Sequence, residues 1–336
     1  MSWKRPWILF LLYFGVNLWV LNGLCQLKNF RNLITLSYPA GVASSSEFWQ
    51  WMEKEGNKNI SEAALWNMSE NCTISSESTG REQKVSVCQM QGAPEAVFGS
   101  NLVEGRYFTT GEERMCLLDL DTAWQLFGSE QVSGLEVQMD GKIWRIAGVL
   151  KERRSLCVTA AKEDAVFDSV TIRKRDDGQS SDLAVSQVES ILGSSQKPYI
   201  DGKLYAVTAW MLWALMTSVL LLLLVKWLIW FQKGKTKRRF TMYIPILCSF
   251  GNVFLCFLSG IKMANPGSDY LPAYWSELEF YGKLFQEKVE QIQKLSMHQE
   301  FTSWNYFLNI WRQIMRVEMI TLLSGIVLYL YRRKKE

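Results

Sequence analysis

Three short clusters of basic residues, each at one end of a long apolar run, constrain this chain more than any other feature of its sequence. Lysine and arginine resist translocation and accumulate on the cytoplasmic side of a membrane. If all three clusters stay in the cytoplasm, the chain crosses the membrane four times. We therefore predict a multi-pass protein of the plasma membrane with both termini cytoplasmic and the lipid bilayer as a partner. The clusters are Lys4 and Arg5, then Lys233, Lys235, Lys237, Arg238 and Arg239, and finally Arg332, Arg333, Lys334 and Lys335.

The apolar runs also predict where the domains begin and end. A membrane span needs roughly 20 mostly apolar residues. The predicted spans are residues 1–25, 204–231, 241–261 and 314–331. The predicted external segments are 26–203 and 262–313, and the predicted cytoplasmic segments are the basic loop 232–240 and the tail 332–336. One large external domain is thus inserted between the first and second spans.

Two of the four runs admit another interpretation. The first run shares its basic start and apolar core with a cleaved signal sequence. It is longer than a typical signal core, and Leu24 rather than a small residue precedes Cys25, so we expect a retained helix. The fourth run contains Arg316 and Glu318, which leaves a peripheral helix as the alternative. We interpret it as a span whose two charged side chains lie at the outer edge and reach the headgroups.

Charge distinguishes the external domain from the cytoplasmic segments. The whole chain has a net charge of +4, whereas residues 26–203 hold 19 lysines and arginines against 25 acids, a net charge of −6. Basic clusters that flank membrane spans, without a basic folded domain, are not typical of nucleic-acid binding. We therefore expect no nucleic acid among the partners.

The cysteines favour structural roles. Four of the seven lie in the external domain, where disulfides persist, and Cys72 and Cys88 flank a turn-like segment. Their pairing is our candidate disulfide, although four cysteines permit three connectivities and the sequence does not choose among them. There is no CxxC pair or Cys/His cluster, and His298 is the only histidine. We therefore predict no metal and no cofactor.

Hydrophobic periodicity in the external domain predicts an α+β fold. Asp121 is the candidate N-cap of one helix, and Asp140-Gly141 predicts a hairpin between two strands. The predicted helices are 45–55, 121–127 and 183–192, and the predicted strands are 63–68, 84–90, 115–118, 135–139, 142–150 and 169–173.

An ordered series of short motifs in this domain resembles a known family. The series is Leu102-Val103-Glu104-Gly105-Arg106-Tyr107-Phe108-Thr109, then Cys116-Leu117-Leu118-Asp119, Ala123-Trp124-Gln125-Leu126-Phe127-Gly128, Gly134, and Met139-Asp140-Gly141-Lys142-Ile143-Trp144-Arg145-Ile146-Ala147-Gly148-Val149-Leu150. It is similar to the MacB-like periplasmic core domain of MacB/FtsX-type ABC transporter permeases. The motif residues are Gly105, Phe108, Phe127, Gly128, Gly134, Gly141 and Gly148.

The resemblance implies a bacterial permease-like protein that transmits motion mechanically. In that family the core domain is inserted between the first two of four membrane helices, and a separate or fused ATPase moves the helices. This sequence has no GxxxxGK[ST] phosphate loop, so the resemblance implies a separate ABC ATPase subunit as a partner. The resemblance predicts FtsX-like transport by mechanotransmission.

Two departures from the family leave the role open. The loop 232–240 has only nine residues and lacks the coupling helix that docks on the ATPase. The external segment 262–313 is long and contains a predicted amphipathic helix at 275–297. The chain is therefore a divergent permease or an accessory subunit that pairs with a second permease. The alternative is a stand-alone membrane-anchored binding or sensor protein.

No catalytic constellation is visible in the sequence. Ser45, Ser46 and Ser75 have no histidine or lysine to activate them, and Glu112-Glu113 is expected to be a solvated pair in a loop. We therefore predict that the chain is not an enzyme.

Overall fold

The computed structural model describes residues 6–27, 30–43, 46–99, 102–109, 111–112, 114–161, 165–175, 180–211, 213–214, 217, scattered positions between 279 and 293, and 303–333. The chain divides into two compact units. The helical unit contains Met1–Arg31, Gly202–Pro266 and Tyr306–Glu336, and the sheet unit contains Asn32–Asp201 and Gly267–Asn305. The loop 232–240 and the span 241–261 lie outside the described residues.

The described elements of the helical unit are three helices. Helix α1 covers Pro6–Leu27, helix α6 covers 202–211 with further helical positions at 213, 214 and 217, and helix α7 covers Ser303–Arg333. Helix α7 begins in the sheet unit, which includes its first three residues. Within the described part of the chain, no helix meets the combined length and hydropathy required of a membrane span.

Between residues 32 and 201, the described residues of the sheet unit form ten strands, four α-helices and a short 3₁₀ helix at Gly56–Lys58. The strands are β1 (Leu33–Ala43), β2 (Ile60–Ser76), β3 (Arg81–Gly92), β4 (Leu102–Gly105), β5 (Met115–Asp119), β6 (Glu136–Met139), β7 (Lys142–Leu150), β8 (Leu156–Ala160), β9 (Val166–Lys174) and β10 (Gln196–Asp201). The helices are α2 (Ser46–Lys54), α3 (Pro94–Phe98), α4 (Leu120–Phe127) and α5 (Ser181–Leu192). The predicted α+β class is confirmed.

All ten strands belong to one mixed sheet. Its order is β10-β1-β9-β2-β3-β8-β5-β7-β4, and β6 pairs with both β2 and β7. The pairs β3/β8 and β5/β7 are parallel, and the other pairs are antiparallel. Because β6 bonds β2 as well as β7, the six strands β2, β3, β8, β5, β7 and β6 close on themselves, whereas β9, β1 and β10 extend from β2 as an open sheet.

Three apolar cores stabilise this arrangement. The first packs the open part of the sheet against α2 and α5 and includes Phe48, Phe167 and Val188. The second includes Trp66 and residues of α3. The third draws side chains from every strand of the closed set and from α4. Burial of these side chains removes apolar surface from water, which is the main favourable contribution to folding.

Local sequence explains how several elements begin and end. Ser180 caps α5 by accepting the backbone N–H of Leu183 at 3.4 Å. Between β6 and β7, Asp140 and Gly141 both have positive φ values, 50° and 70°, as a two-residue type I′ hairpin turn requires. The positions described within the predicted helix at 275–297 are helical, but most of that segment lies outside the described residues.

Candidate functional site

Strands β1 and β10 begin and end the continuous part of the sheet unit, Asn32–Asp201, and each is next to a helix along the chain. Strand β1 follows α1, and β10 ends at Asp201, immediately before α6. The two strands are antiparallel neighbours, with Ile34 opposite Asp201 and Thr35 opposite Ile200. The chain therefore enters and leaves the sheet along two neighbouring strands that are joined by backbone hydrogen bonds.

A chain of buried polar contacts connects the start of α7 to this region. Trp304 donates its indole N–H to Thr35 Oγ at 2.8 Å. The hydroxyls of Thr35 and Thr171 are 3.0 Å apart, and Trp66 donates its indole N–H to Thr171 Oγ at 2.9 Å. All four side chains are buried. The contacts join α7, β1, β9 and β2, and we call these four residues the Trp304 relay.

The register of the sheet explains why the relay forms. Thr35 and Thr171 are directly opposite each other in the β1/β9 pair, so their hydroxyls meet on one face. A buried hydroxyl or indole N–H without a partner costs free energy, on the order of 1–3 kcal/mol. Each polar group of the relay has a hydrogen-bond partner in the next residue of the relay. These bonds hold Trp304, at the start of α7, against the sheet.

A buried charged network lies where β9, α5 and β10 meet. Lys174 Nζ donates to Ser181 Oγ at 2.8 Å, and the Ser181 hydroxyl donates to Asp201 Oδ2 at 2.8 Å. Lys174 is the last residue of β9, Ser181 the first of α5, and Asp201 the last of β10. The network therefore ties together three element ends at the point where the chain leaves the sheet.

The chemistry of this network favours a positioning role. A lysine beside a serine hydroxyl is an arrangement that activates a nucleophile in some enzymes. Here Lys174, Ser181 and Asp201 are each 1% exposed, so a substrate does not reach the serine oxygen in this conformation. No local sequence pattern predicts this contact, because the three residues are separated along the chain and only the fold brings them together.

Further polar contacts attach α5 to the strand segment that leads to α6. Tyr199 donates its hydroxyl to Asp182 Oδ1 at 2.6 Å, and the hydroxyl of Ser195 donates to Glu189 Oε1 at 2.5 Å. Burial, and then the charge of Glu189, raise the pKa of Tyr38 well above its ordinary value. The Tyr38 phenol therefore remains protonated and neutral across the physiological range.

Two of the motif glycines lie in the antiparallel pair formed by β4 and β7. Gly105 is opposite Gly148 in this pair. Gly105 has a φ of +77°, and a Cβ there would collide with the carbonyl oxygen of Ala147. A Cβ at Gly148 would lie 2.7 Å from the carbonyl oxygen of Glu104. The pair therefore needs glycine for close backbone approach.

The other motif residues lie in turns, in a helix cap and in the apolar cores next to the closed set of strands. Gly128 is the left-handed C-cap of α4, and Gly134 donates its N–H to the carbonyl of Ile146 at 2.7 Å. The half-buried Phe127 packs against the third core, and the buried Phe108 belongs to the second core. Gly141 forms the β6/β7 turn described above. Strands β4 and β7 lie at the opposite end of the sheet order from β10 and β1, so the motif and the Trp304 relay are separate regions.

The turn after Gly105 is held by an ion pair. Arg106 donates two hydrogen bonds to Glu112, at 2.8 and 2.6 Å, and the backbone N–H of Thr109 donates to the same carboxylate at 2.9 Å. These bonds, that of Arg106 first, lower the pKa of Glu112 to about 2. Glu112 is thus a solvent-accessible loop carboxylate, as expected, but it is paired with Arg106, and Glu113 lies outside the described residues.

Asp119, rather than the predicted Asp121, caps α4. Asp119 Oδ1 accepts the N–H of Thr122 at 3.1 Å and that of Leu156 at 3.0 Å. Its other oxygen accepts the N–H of Arg154 at 2.6 Å and that of Ser155 at 2.9 Å. One buried carboxylate therefore organises both the start of a helix and the loop before β8.

Glu152, in the same loop, is a carboxyl with an unusual environment. Burial, reinforced by the charge of Asp119 and opposed by that of Arg154, raises the pKa of Glu152 to about 7. Its ionised form is therefore disfavoured by the fold.

The candidate disulfide is not formed. Cys72 and Cys88 are free thiols, as are Cys116 and Cys157. In the β2/β3 pair Cys88 is opposite Met68 and Cys72 is opposite Val85. The two cysteines are thus separated by about 10 Å along the strands, which exceeds the Cα separation of about 7 Å that a disulfide tolerates.

The basic clusters are mostly beyond what the structure describes. Lys4, Arg5, the cluster of the loop 232–240, Lys334 and Lys335 lie outside the described residues, and Arg332 and Arg333 are the last two residues of α7. Among the described residues, no group of three or more histidine, cysteine or acidic side chains is arranged to hold a metal ion.

The structure is similar to two solved domains. One is the periplasmic region of MacB from Actinobacillus actinomycetemcomitans, with 14% sequence identity and a TM-score of 0.43 over 52% of this chain and 90% of that one. The other is the extracellular domain of the noncanonic ABC-type transporter YknZ from Gram-positive bacteria, with 17% identity and a TM-score of 0.38 over 50% of this chain and 98% of that one. No protein-family model and no curated protein matches the sequence.

Proposed function

We propose that this chain is a membrane-embedded, permease-like or accessory subunit of an ABC-type transport complex in a bacterial plasma membrane. Its role is to carry ATP-driven movement of helices into the sheet unit outside the membrane. The observation that carries the proposal is the Trp304 relay, because it attaches the first turn of a long helix to three strands of that unit.

The geometry of the sheet suits the transmission of force. Strands β1 and β10 are hydrogen-bonded neighbours that connect along the chain to α1 and α6. A hydrogen-bonded strand pair resists sliding, because sliding breaks several backbone bonds at once. A force applied to either end of this strand pair would therefore be carried by bonded backbone groups.

A partner chain supplies the ATPase in this proposal. The sequence contains no phosphate-binding loop, and the nine-residue loop 232–240 lacks a coupling helix. An accessory subunit that pairs with a second, more typical permease accommodates both facts. The ordered motif from Gly105 to Leu150 supports the permease resemblance.

Affinity purification of the full chain from native membranes in mild detergent tests the proposal. We expect an ABC ATPase, with or without a second permease, to be recovered with the tagged chain. Trp304→Phe, with Trp124→Phe as the matched control, then tests the relay. We expect Trp304→Phe to preserve recovery of the ATPase and to lower transport or ATPase stimulation, because assembly does not need the indole N–H and transmission does.

A second candidate function is that of a stand-alone membrane-anchored binding or sensor protein. The short loop 232–240 favours it, since this loop has no segment that resembles an ATPase dock. Recovery of the chain without any ATPase, under conditions that keep a known ABC complex of the same membranes intact, would support this alternative and exclude the transport role.

A further inference from the structure

Asp119 and Glu152 are two carboxyl groups at one corner of the closed set of strands, where β5 passes into α4. Asp119 is opposite Leu150 in the β5/β7 pair, and Glu152 follows Leu150 by two residues, in the loop 151–155 before β8. The backbone carbonyl of Glu152 accepts the N–H of Leu120, the residue after Asp119, at 3.0 Å. The first residue of α4 is therefore tied to the loop that carries the second carboxyl group. We call Asp119 and Glu152 the carboxyl latch.

The two carboxyl groups of the latch differ in their hydrogen bonds. Asp119 is fully buried, and its two oxygens accept four backbone N–H groups. Glu152 is half-buried, and its Oε2 atom is buried without a hydrogen-bond partner. Burial of a charged oxygen that no donor stabilises costs free energy. The closed arrangement of the latch therefore suits a neutral Glu152 side chain.

The charges around Glu152 do not reverse this preference. Burial raises the pKa of Glu152 to about 7, the charge of Arg154 opposes this shift, and that of Asp119 adds to it. Exposed charges are screened by water and salt and act more weakly. The remaining charged residues of the loop, of α4 and of the adjoining part of β3 are the exposed Lys151, Arg153, Glu82 and Lys84 and the half-buried Asp121.

The far end of the loop is held independently of Glu152. The carbonyl of Ser155 accepts the N–H of Ser86 at 2.9 Å, and its hydroxyl accepts a hydrogen bond from Gln83 Nε2 at 3.1 Å. Both donors belong to β3. A movement that begins at Glu152 is therefore limited by these bonds, and the start of α4 is the segment free to respond.

We propose that the carboxyl latch is a pH-sensitive switch that holds the start of α4 while Glu152 is protonated and releases it when Glu152 passes its proton to the solvent. Ionisation places a second negative charge near Asp119, on an oxygen without a donor. Rotation of this carboxylate towards water draws residue 152 away from Leu120 and breaks the backbone bond between them. Because α4 packs on the third core, its release loosens one side of that core.

The inference goes beyond the proposed function and does not rest on it. Every group of the switch lies between residues 115 and 156, within the sheet unit. The transport proposal, by contrast, depends on the helices and on a partner ATPase. The two proposals therefore fail or succeed separately.

Hydrogen–deuterium exchange of the full chain in detergent, read by peptide mass spectrometry between pH 5 and pH 8, tests the switch. Division of each rate by that of the denatured chain at the same pH removes the intrinsic pH dependence of exchange. The pKa of Glu152 is about 7 in the closed form and 4.5 when the group is released. We therefore expect opening at Leu120 and Thr122 to increase about ten-fold between pH 6 and pH 8.

Two variants accompany the native chain. Glu152→Gln retains the shape of the side chain and cannot ionise, so we expect the amides at the start of α4 to stay protected across the same range. Glu82→Gln, which removes an exposed glutamate of β3, is the matched control and should retain the ten-fold increase.

Each outcome decides the proposal. An increase confined to the start of α4 and abolished by Glu152→Gln supports the switch. An equal increase in all strands of the sheet unit identifies global unfolding and overturns a local switch. Constant protection in the native chain, or an increase that persists in Glu152→Gln, overturns it as well. The pH profile of the native chain separates local from global opening by itself, so the test does not depend on whether a variant folds.

Discussion

Trp304 donates its indole N–H to the hydroxyl of Thr35 at 2.8 Å, although 269 positions separate the two residues along the chain. Trp304→Phe retains an aromatic ring and removes the donor. We expect the free energy of unfolding of the sheet unit to fall by about 1–3 kcal/mol, because the substitution leaves Thr35 with one bond fewer and a smaller ring in a packed site. Denaturant unfolding of the full chain, followed by far-ultraviolet circular dichroism, measures the change.

The control for this prediction is another tryptophan. Trp124 is 49% exposed and donates its indole N–H to Glu130 at 3.2 Å. We expect Trp124→Phe to change the free energy of unfolding by less than about 0.5 kcal/mol. Equal losses in the two variants would contradict the assignment of a special role to the relay.

Gly105→Ala should destabilise the sheet unit much more than Gly80→Ala. Both glycines have positive φ, 77° and 63°, so either substitution introduces backbone strain of about 1 kcal/mol. A Cβ at Gly80 meets nothing within 4 Å, whereas one at Gly105 meets the backbone of Ala147 and Gly148. The difference between their thermal unfolding midpoints therefore measures the close approach of β4 to β7. Equal midpoints would show that the strands have room to separate.

Glu152→Gln should stabilise the protein at high pH. The pKa of Glu152 is raised from 4.5 to about 7 in the folded chain, so the protonated form favours folding. The stability it contributes is fully present below about pH 4.5 and is lost as the pH rises through about 7. We expect Glu152→Gln to be more stable than the native chain by roughly 3 kcal/mol at pH 8.

Below about pH 4.5 this difference between the two proteins should no longer change with pH. Unfolding measured at several values between pH 4 and pH 8 tests the sign and the window. Glu53→Gln, at an exposed position, supplies the control, for which we expect a flat difference across the same range. A flat difference for Glu152→Gln as well would refute the prediction.

The network of Lys174, Ser181 and Asp201 should show strong coupling in a double-mutant cycle. Asp201→Asn removes the negative charge from the buried contacts that run from Lys174 through Ser181 to Asp201, and we expect a loss of about 3–5 kcal/mol. Lys174→Met should be similarly costly. The double variant should lose less than the sum of the two, since it removes both charges of the network together. Additive losses would show that the two charges act independently.

All four cysteines of the sheet unit should react as thiols. Alkylation in denaturant without reductant, followed by mass spectrometry of the peptides, should find Cys72, Cys88, Cys116 and Cys157 all modified. In the folded chain Cys72 should react first, because it is half-buried whereas the other three are buried. A disulfide-linked peptide containing Cys72 and Cys88 would contradict the observed strand register.

Local patterns predicted the elements whose signals lie within a few residues of one another. The hairpin at Asp140-Gly141 and the bounds of β7 follow directly from a turn dipeptide and its flanking strands. Strand β8, by contrast, was missed because almost all its residues are buried and do not alternate. Strand β1 was missed because Pro39 and Gly41 interrupt it.

The candidate sites depend on long-range contacts that no local pattern contains. The N-cap of α4 moved from Asp121 to Asp119 because Asp119 also gathers N–H groups from the loop before β8. The Trp304 relay and the charged network need strand register before their members meet. Glu318 is visible in the sequence as an acid in an apolar run, but its burial depends on contacts that the sequence does not show.

Ile34 and Asp201 are directly opposite each other in the β1/β10 pair. The two residues that bracket the main part of the sheet unit are only about 5 Å apart. A few glycines could bridge that gap and replace the intervening segment without stretching the chain. The segment between these two residues is thus a cassette that recombination, or an experimenter, can insert, exchange or remove at a single point.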